Sequence, residues 1–99
     1  MIAHPDASLE PLDADDVAGA LAVHQRAFGY PYPSEALHRD VAAPDAAVLG
    51  ARRDGALLGF GVVRLLADEA HVLTLAVLPA VRGRGVGRAL LAAMREAAV

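Results

Sequence analysis

His71-Val72-Leu73-Thr74-Leu75-Ala76-Val77-Leu78-Pro79-Ala80-Val81-Arg82-Gly83-Arg84-Gly85-Val86-Gly87-Arg88 is the stretch that decides the fold. From His71 to Leu78 it is too uniformly apolar for a strand with one wet face, so it predicts a central strand, ended by Pro79. Past the glycines, Val86, Leu90, Met94 and Ala97 recur on one face, joined by Leu91, while Arg88, Arg95 and Glu96 point away. That spacing predicts an amphipathic helix. A strand turning into a helix normally leads into a parallel strand, yet this helix runs to Val99 without a cap, a glycine or another strand. The chain reads as cut short.

Working back from this stretch, the chain alternates punctuation and period. Leu9 to Leu12 reads as a short edge strand, since Pro11 cannot donate to a ladder. Asp13 is a candidate helix cap with Asp15 and Asp16 in the first turn, and Val17, Ala20, Leu21, His24 and Phe28 share one helical face as far as Gly29. Tyr30-Pro31-Tyr32-Pro33 predicts a loop. Ser34 is a second candidate cap, with Leu37 and Val41 as the apolar stripe before Pro44. Ala47 to Arg52 and Leu57 to Leu66 flank Arg53-Asp54-Gly55 as a hairpin, and Ala67-Asp68-Glu69 forms the next turn.

The turn at residues 82–88 carries the chemistry. A helix N-terminus presents N–H groups without intrahelical partners and the positive end of the helix dipole, which suits phosphate. Gly83, Gly85 and Gly87 let backbone approach an anion closely, and Arg82, Arg84 and Arg88 add positive charge. These features predict a polyphosphate cradle. It is not a dinucleotide fingerprint, because Arg88 stands where G-x-G-x-x-G needs glycine, and it is not a P-loop, because the chain has no lysine.

Arg82-x-x-Gly85-x-Gly87, between an apolar strand and an amphipathic helix, resembles the pyrophosphate signature of the GNAT superfamily of N-acetyltransferases. The resemblance runs from about Leu9 to the end and covers the first half or two-thirds of such a domain. It implies an α/β (α+β) fold with a mixed, mainly antiparallel sheet flanked by helices. Residues 1–99 would then be the N-terminal, acetyl-CoA-binding portion. It also implies that the backbone of Leu75, Ala76 and Val77 bonds the pantetheine and acetyl group while Gly83, Arg84, Gly85, Val86, Gly87 and Arg88 hold the pyrophosphate, with Arg82 beside them. Asp68 to Val77, Ala27-Phe28, Pro31 to Ser34 and Leu49-Gly50-Ala51 resemble the ribosomal-protein-alanine acetyltransferase branch, although Tyr32 then Pro33 stand where that branch has tryptophan after proline. The acceptor implied is a protein N-terminal amine, such as that of a ribosomal protein; a small amine is the alternative. The acid and base of that branch, a tyrosine and a glutamate, come from later elements.

Within this chain His71 aligns with a glutamate base of some other superfamily members, and strict alternation puts it on the face of Leu73 and Leu75. An imidazole titrating near pH ~6.5 suits a general base, directly or through water. A strand-end histidine facing solvent is the alternative. His24, on the apolar face of its helix, reads as a packing residue. His4 and His38 belong to no constellation. Tyr30 and Tyr32 are candidates for the wall of an acceptor groove, or else pack over the hairpin.

Composition bounds these readings. The chain has 99 residues, 56% of them hydrophobic, so one small domain with a modest core is expected. A formal net charge of −3 gives no basic field for nucleic acid or an acidic membrane. With no cysteine, thiolate chemistry and disulfides are excluded, and no H-x-x-H-like spacing supports a metal. Met1 to Asp6 lack the apolar core of a signal peptide, and no stretch approaches the ~18 apolar residues of a membrane span. A cytoplasmic protein is expected. A non-catalytic rival remains: a CoA-binding half-domain that pairs with a second chain, as a dimer, through an open sheet edge.

Overall fold

The computed structural model describes residues 7–98; His4 and the rest of the first six residues, and Val99, lie outside that range. Four strands, β1 (Ser8–Pro11), β2 (Ala46–Arg53), β3 (Ala56–Leu66) and β4 (Glu69–Val77), and three helices, α1 (Val17–Phe28), α2 (Ser34–Ala42) and α3 (Val86–Ala97), make up the chain. The sheet order is β1-β2-β3-β4, with every pairing antiparallel. The architecture is α+β.

Each helix begins and ends for a local reason. Before α1, the Asp13 carboxylate accepts from the Asp15 N–H and the Asp16 carboxylate accepts from the Asp13 N–H, both at 2.9 Å. This reciprocal box satisfies two donors that the first turn would otherwise orphan. Gly29, at φ 79°, closes α1 by donating to the Gln25 carbonyl. At α2 the expected cap is corrected: Pro33 occupies the capping position and Ser34 is already helical, without a side-chain cap bond. Proline's fixed φ suits a chain entering a helix. Asp54 and Gly55, both at positive φ, form the two-residue turn of the first hairpin, so Arg53 belongs to β2.

The sheet separates two apolar layers. Val17, Ala20 and Val23 of α1 and Leu37 of α2 pack on Val48, Phe60, Val62 and Ala76. On the opposite face Val86, Leu90, Ala93 and Met94 of α3 pack on Leu9, Leu49, Ala51 and Val63. Because β2 and β3 are covered on both faces, they read as continuous rather than alternating apolar runs. Among charged groups, Arg52 joins Glu10 of β1 to Asp16 at the mouth of α1, and Arg64 of β3 reaches the buried Asp40 of α2.

Two expectations for β4 change. It is an edge strand among the described residues, not a central one, and Val72 and Leu73 are 50% and 45% exposed. The register also shifts between Val62 and Val63, so that Val62 faces Thr74 but Val63 faces Val72, leaving Leu73 as an extra residue.

Candidate functional site

Past β4 the chain makes one 3-10 turn, Pro79–Val81, and then the arginine and glycine turn that opens α3. Gly83 and Gly85 both sit at φ 82°, in the left-handed region that favours glycine. No atom lies within 4 Å of where a Cβ on Gly83 would project, so the turn's outer side is open. At Gly87 a Cβ would meet the Val77 side chain at 3.4 Å, so the helix starts close against the end of β4.

These residues line one cleft of ≈ 370 Å³: Val77, Val81, Arg82, Gly83, Gly85, Val86, Gly87 and Arg88. The first bond of α3 runs from the Ala89 N–H to the Gly85 carbonyl at 2.9 Å. The N–H groups of Val86, Gly87 and Arg88 precede that bond, at the positive end of a twelve-residue helix. Arg82, Arg84 and Arg88 are exposed around it. Such a concave surface with a helix N-terminus at its base suits a phosphate-bearing ligand.

One wall of the cleft continues along the outer edge of β4. The Leu78 N–H donates to the Leu58 carbonyl at 2.9 Å, and amide direction alternates along a strand. Leu75 and Val77 therefore turn their N–H and C=O groups outward. Ala76 turns inward to pair with Phe60, which corrects the expectation that all three backbones are offered to a ligand. The side chains of Leu75 and Val77 pack against the α3 layer, so a rigid core fixes the direction of the outward groups.

Arg82 does more than supply charge. Its Nε donates to the Val77 carbonyl at 3.3 Å and its Nη2 to the Ala27 carbonyl, in the last turn of α1, at 2.9 Å. Sequence spacing gives no sign of a contact across 55 residues. Val81 was also missed, although an apolar residue two places after Pro79 is a visible signal; it is buried and lines the cleft.

The remaining candidates separate from this cleft. His71 pairs across the sheet with Arg64, and one extra residue at Leu73 reverses the alternation above it. It lies on the face of α1 and α2, opposite Leu75, which corrects the face assigned by strict alternation. Its Nε2 is 3.0 Å from Glu69, and the imidazole is exposed. Tyr32 is half-buried, with its ring 6.5 Å from Phe60 at 89° and 5.1 Å from His24. Burial, with the Asp40 carboxylate nearby, holds the Tyr32 hydroxyl above its ordinary value. Tyr30 is exposed, its ring edge-on to His24 at 5.4 Å. His24 is a packing residue as expected: it is buried, and its Nδ1 lies 3.1 Å from the Tyr30 carbonyl. Among the described residues no three His, Cys, Asp or Glu side chains group as metal ligands, and no helix is long and apolar enough to cross a membrane.

The profile of the acetyltransferase (GNAT) family matches residues 17–99. Over 65 residues, 62% of this chain, the sequence is 43% identical to the N-alpha-acetyltransferase RimI of Mycobacterium tuberculosis, of which the match covers 41%. The fold is similar to the ribosomal-protein-S18-alanine N-acetyltransferase of Escherichia coli, with TM-score 0.82 and 23% identity over 92% of this chain and 58% of that one. It is also similar to the PaiA N-acetyltransferase of Thermoplasma acidophilum in complex with coenzyme A, with TM-score 0.85 and 20% identity over 92% of this chain and 70% of that one. The chain thus spans less than half the length of the curated relatives it matches.

Proposed function

This chain belongs to the acetyltransferase (GNAT) family, and on that premise we propose that it is the acetyl-CoA-binding portion of an N-acetyltransferase acting on a primary amine. The observation that supports this most is the continuity of the cleft at residues 82–88 with the outward amides of Leu75 and Val77. A ligand with a pyrophosphate at one end and an amide-bearing arm at the other matches that layout. The N–H groups of Val86, Gly87 and Arg88 and the glycine turn would hold the pyrophosphate, and the outward groups of Leu75 with the Val77 N–H would pair with the arm as a short strand does. Acetyl transfer then requires a neutral amine to attack the thioester carbonyl, forming the C–N bond as the C–S bond breaks and a thiolate leaves.

For the acceptor, the reading is a protein N-terminal α-amine, supported by the 43% identity to an N-alpha-acetyltransferase. Comparing an Ala-initiated peptide with a panel of small amines, on the polypeptide that carries this segment, separates this from small-amine acetylation. Faster turnover of the small amines would overturn it. Within this chain His71, solvent-facing and 3.0 Å from Glu69, is the candidate base we propose to test, a structural strand-end histidine being the alternative. His71→Ala should slow transfer and move the acid limb of the pH–rate profile while CoA affinity holds; an unmoved profile makes the residue structural.

Backbone approach should matter more in the cradle than any one charge. In a calorimetric titration with CoA, Gly85→Val, which forces a branched residue to φ 82°, should weaken binding more than Arg88→Ala does. Full affinity in a folded Gly85→Val chain would place the cradle elsewhere.

A further inference from the structure

Two side-chain bonds to main-chain carbonyls hold the turn between α1 and α2, and one of them comes from the proposed cofactor cleft. Within the turn, His24 Nδ1 lies against the Tyr30 carbonyl. From outside, Arg82 Nη2 donates to the Ala27 carbonyl while its Nε donates to the Val77 carbonyl. Ala27 lies in the last turn of α1, so the guanidinium also sits at the negative end of that helix's dipole.

From this geometry we propose that Arg82 is a positioning residue that couples occupancy of the cleft to the arrangement of the Tyr30–Tyr32 loop. The proposal rests on the reading of the cleft as a CoA site. A guanidinium carries five N–H donors in one rigid plane, and two of its nitrogens face the carbonyls. The donors beyond those two bonds leave the group able to meet an anion at the adjoining Gly83–Gly87 turn without releasing either carbonyl. Arg82 immediately precedes Gly83, so a ligand that draws this turn inward pulls directly on the α1 anchor. Phe28, Tyr30 and Tyr32 all stack around His24, which makes the loop beyond Ala27 one packed aromatic unit. Linkage makes the effect reciprocal: a loop fixed by acceptor would favour the occupied cleft to the same degree.

The chain offers a direct probe, because its two tyrosines are both in this loop. With 3-fluorotyrosine incorporated, each resonance reports on the loop alone. Titration with CoA should move the Tyr30 and Tyr32 signals in the unaltered chain. In Arg82→Gln, at CoA concentrations raised until calorimetry shows the weakened cleft filled, those shifts should be lost, and Arg82→Lys, which lacks the planar fork, should behave like the glutamine variant. Equal shifts in the unaltered and Arg82→Gln chains would overturn the coupling. Absence of CoA binding in the unaltered chain would instead refute the cofactor reading. The ligand-free spectra then decide whether Arg82 positions the loop: Arg82→Gln should displace the Tyr30 signal, and an unmoved signal would remove the positioning role as well.

Discussion

Asp16 shows how much one carboxylate does at the start of α1. The Asp13 N–H, ahead of the Arg52 guanidinium, holds the Asp16 carboxyl below the ordinary carboxylate range, against a smaller opposing effect of burial. A depressed folded value means stabilisation that is present above pH ~4 and disappears as pH falls through the folded value. Asp16→Asn keeps the shape but loses the charge. It should destabilise the chain at neutral pH, and the gap to the unaltered chain should narrow as pH falls below the ordinary carboxylate range. Denaturant unfolding at neutral and at acid pH checks this; an equal gap at the two would mean that the charge is irrelevant. Asp13 was legible as a cap because the residue type and its place before an apolar stripe suffice. Asp40 was not legible. It lies on the inner face of α2 with the guanidinium of Arg64, 24 positions later, against it, and no helical period marks a buried carboxylate.

At the scale of elements, α3 seats on β3 because that strand has glycines where a side chain would block it. A Cβ at Gly61 would come within 2.3 Å of the Met94 sulfur, and one at Gly59 within 2.8 Å of the Ala76 carbonyl oxygen. The two obstacles differ in kind. Met94 ends in a flexible thioether that can swing aside, whereas the Ala76 carbonyl belongs to the β3–β4 ladder and moves only with the strand. Gly59→Ala should therefore destabilise more than Gly61→Ala, by about 1–3 kcal/mol against a smaller loss. Because it displaces the strand that carries Leu75 and Val77, it should also weaken CoA binding. Paired thermal melts and CoA titrations test this, and a larger loss from Gly61→Ala would reverse the argument. Periodicity identified β3 and α3 because core burial dictates both, whereas β4, exposed over its first five residues, was read from its apolar run. Periodicity failed at Leu73, where the extra residue turns His71 to the other face, since a bulge is set by pairing with β3 and leaves no mark in β4's own composition.

At the scale of the whole fold, chain order equals strand order among the described residues, so the two sheet edges there are β1 and β4. They are protected very differently. β1 has four residues and ends in Pro11, which cannot extend a ladder. β4 has nine residues and no proline, with outward amides at Leu75 and Val77 and half-exposed Val72 and Leu73. A long apolar edge of this kind templates pairing with another chain. The same uniform apolarity that suggested a central strand thus becomes a surface liability in a four-stranded sheet. The polypeptide of residues 1–99 should therefore self-associate, and Val72→Lys, which places a charge on the edge strand without entering either core layer, should reduce association while leaving the fold intact. On the proposed reading, in which the acid and base come from later elements, acetyl transfer by the same polypeptide should be far below enzymatic rates. Light scattering and a transfer assay on one sample test both halves: a monodisperse monomer turning over Ala-initiated peptide at ordinary rates would show that the β4 edge is benign and that these 99 residues hold a working catalytic centre.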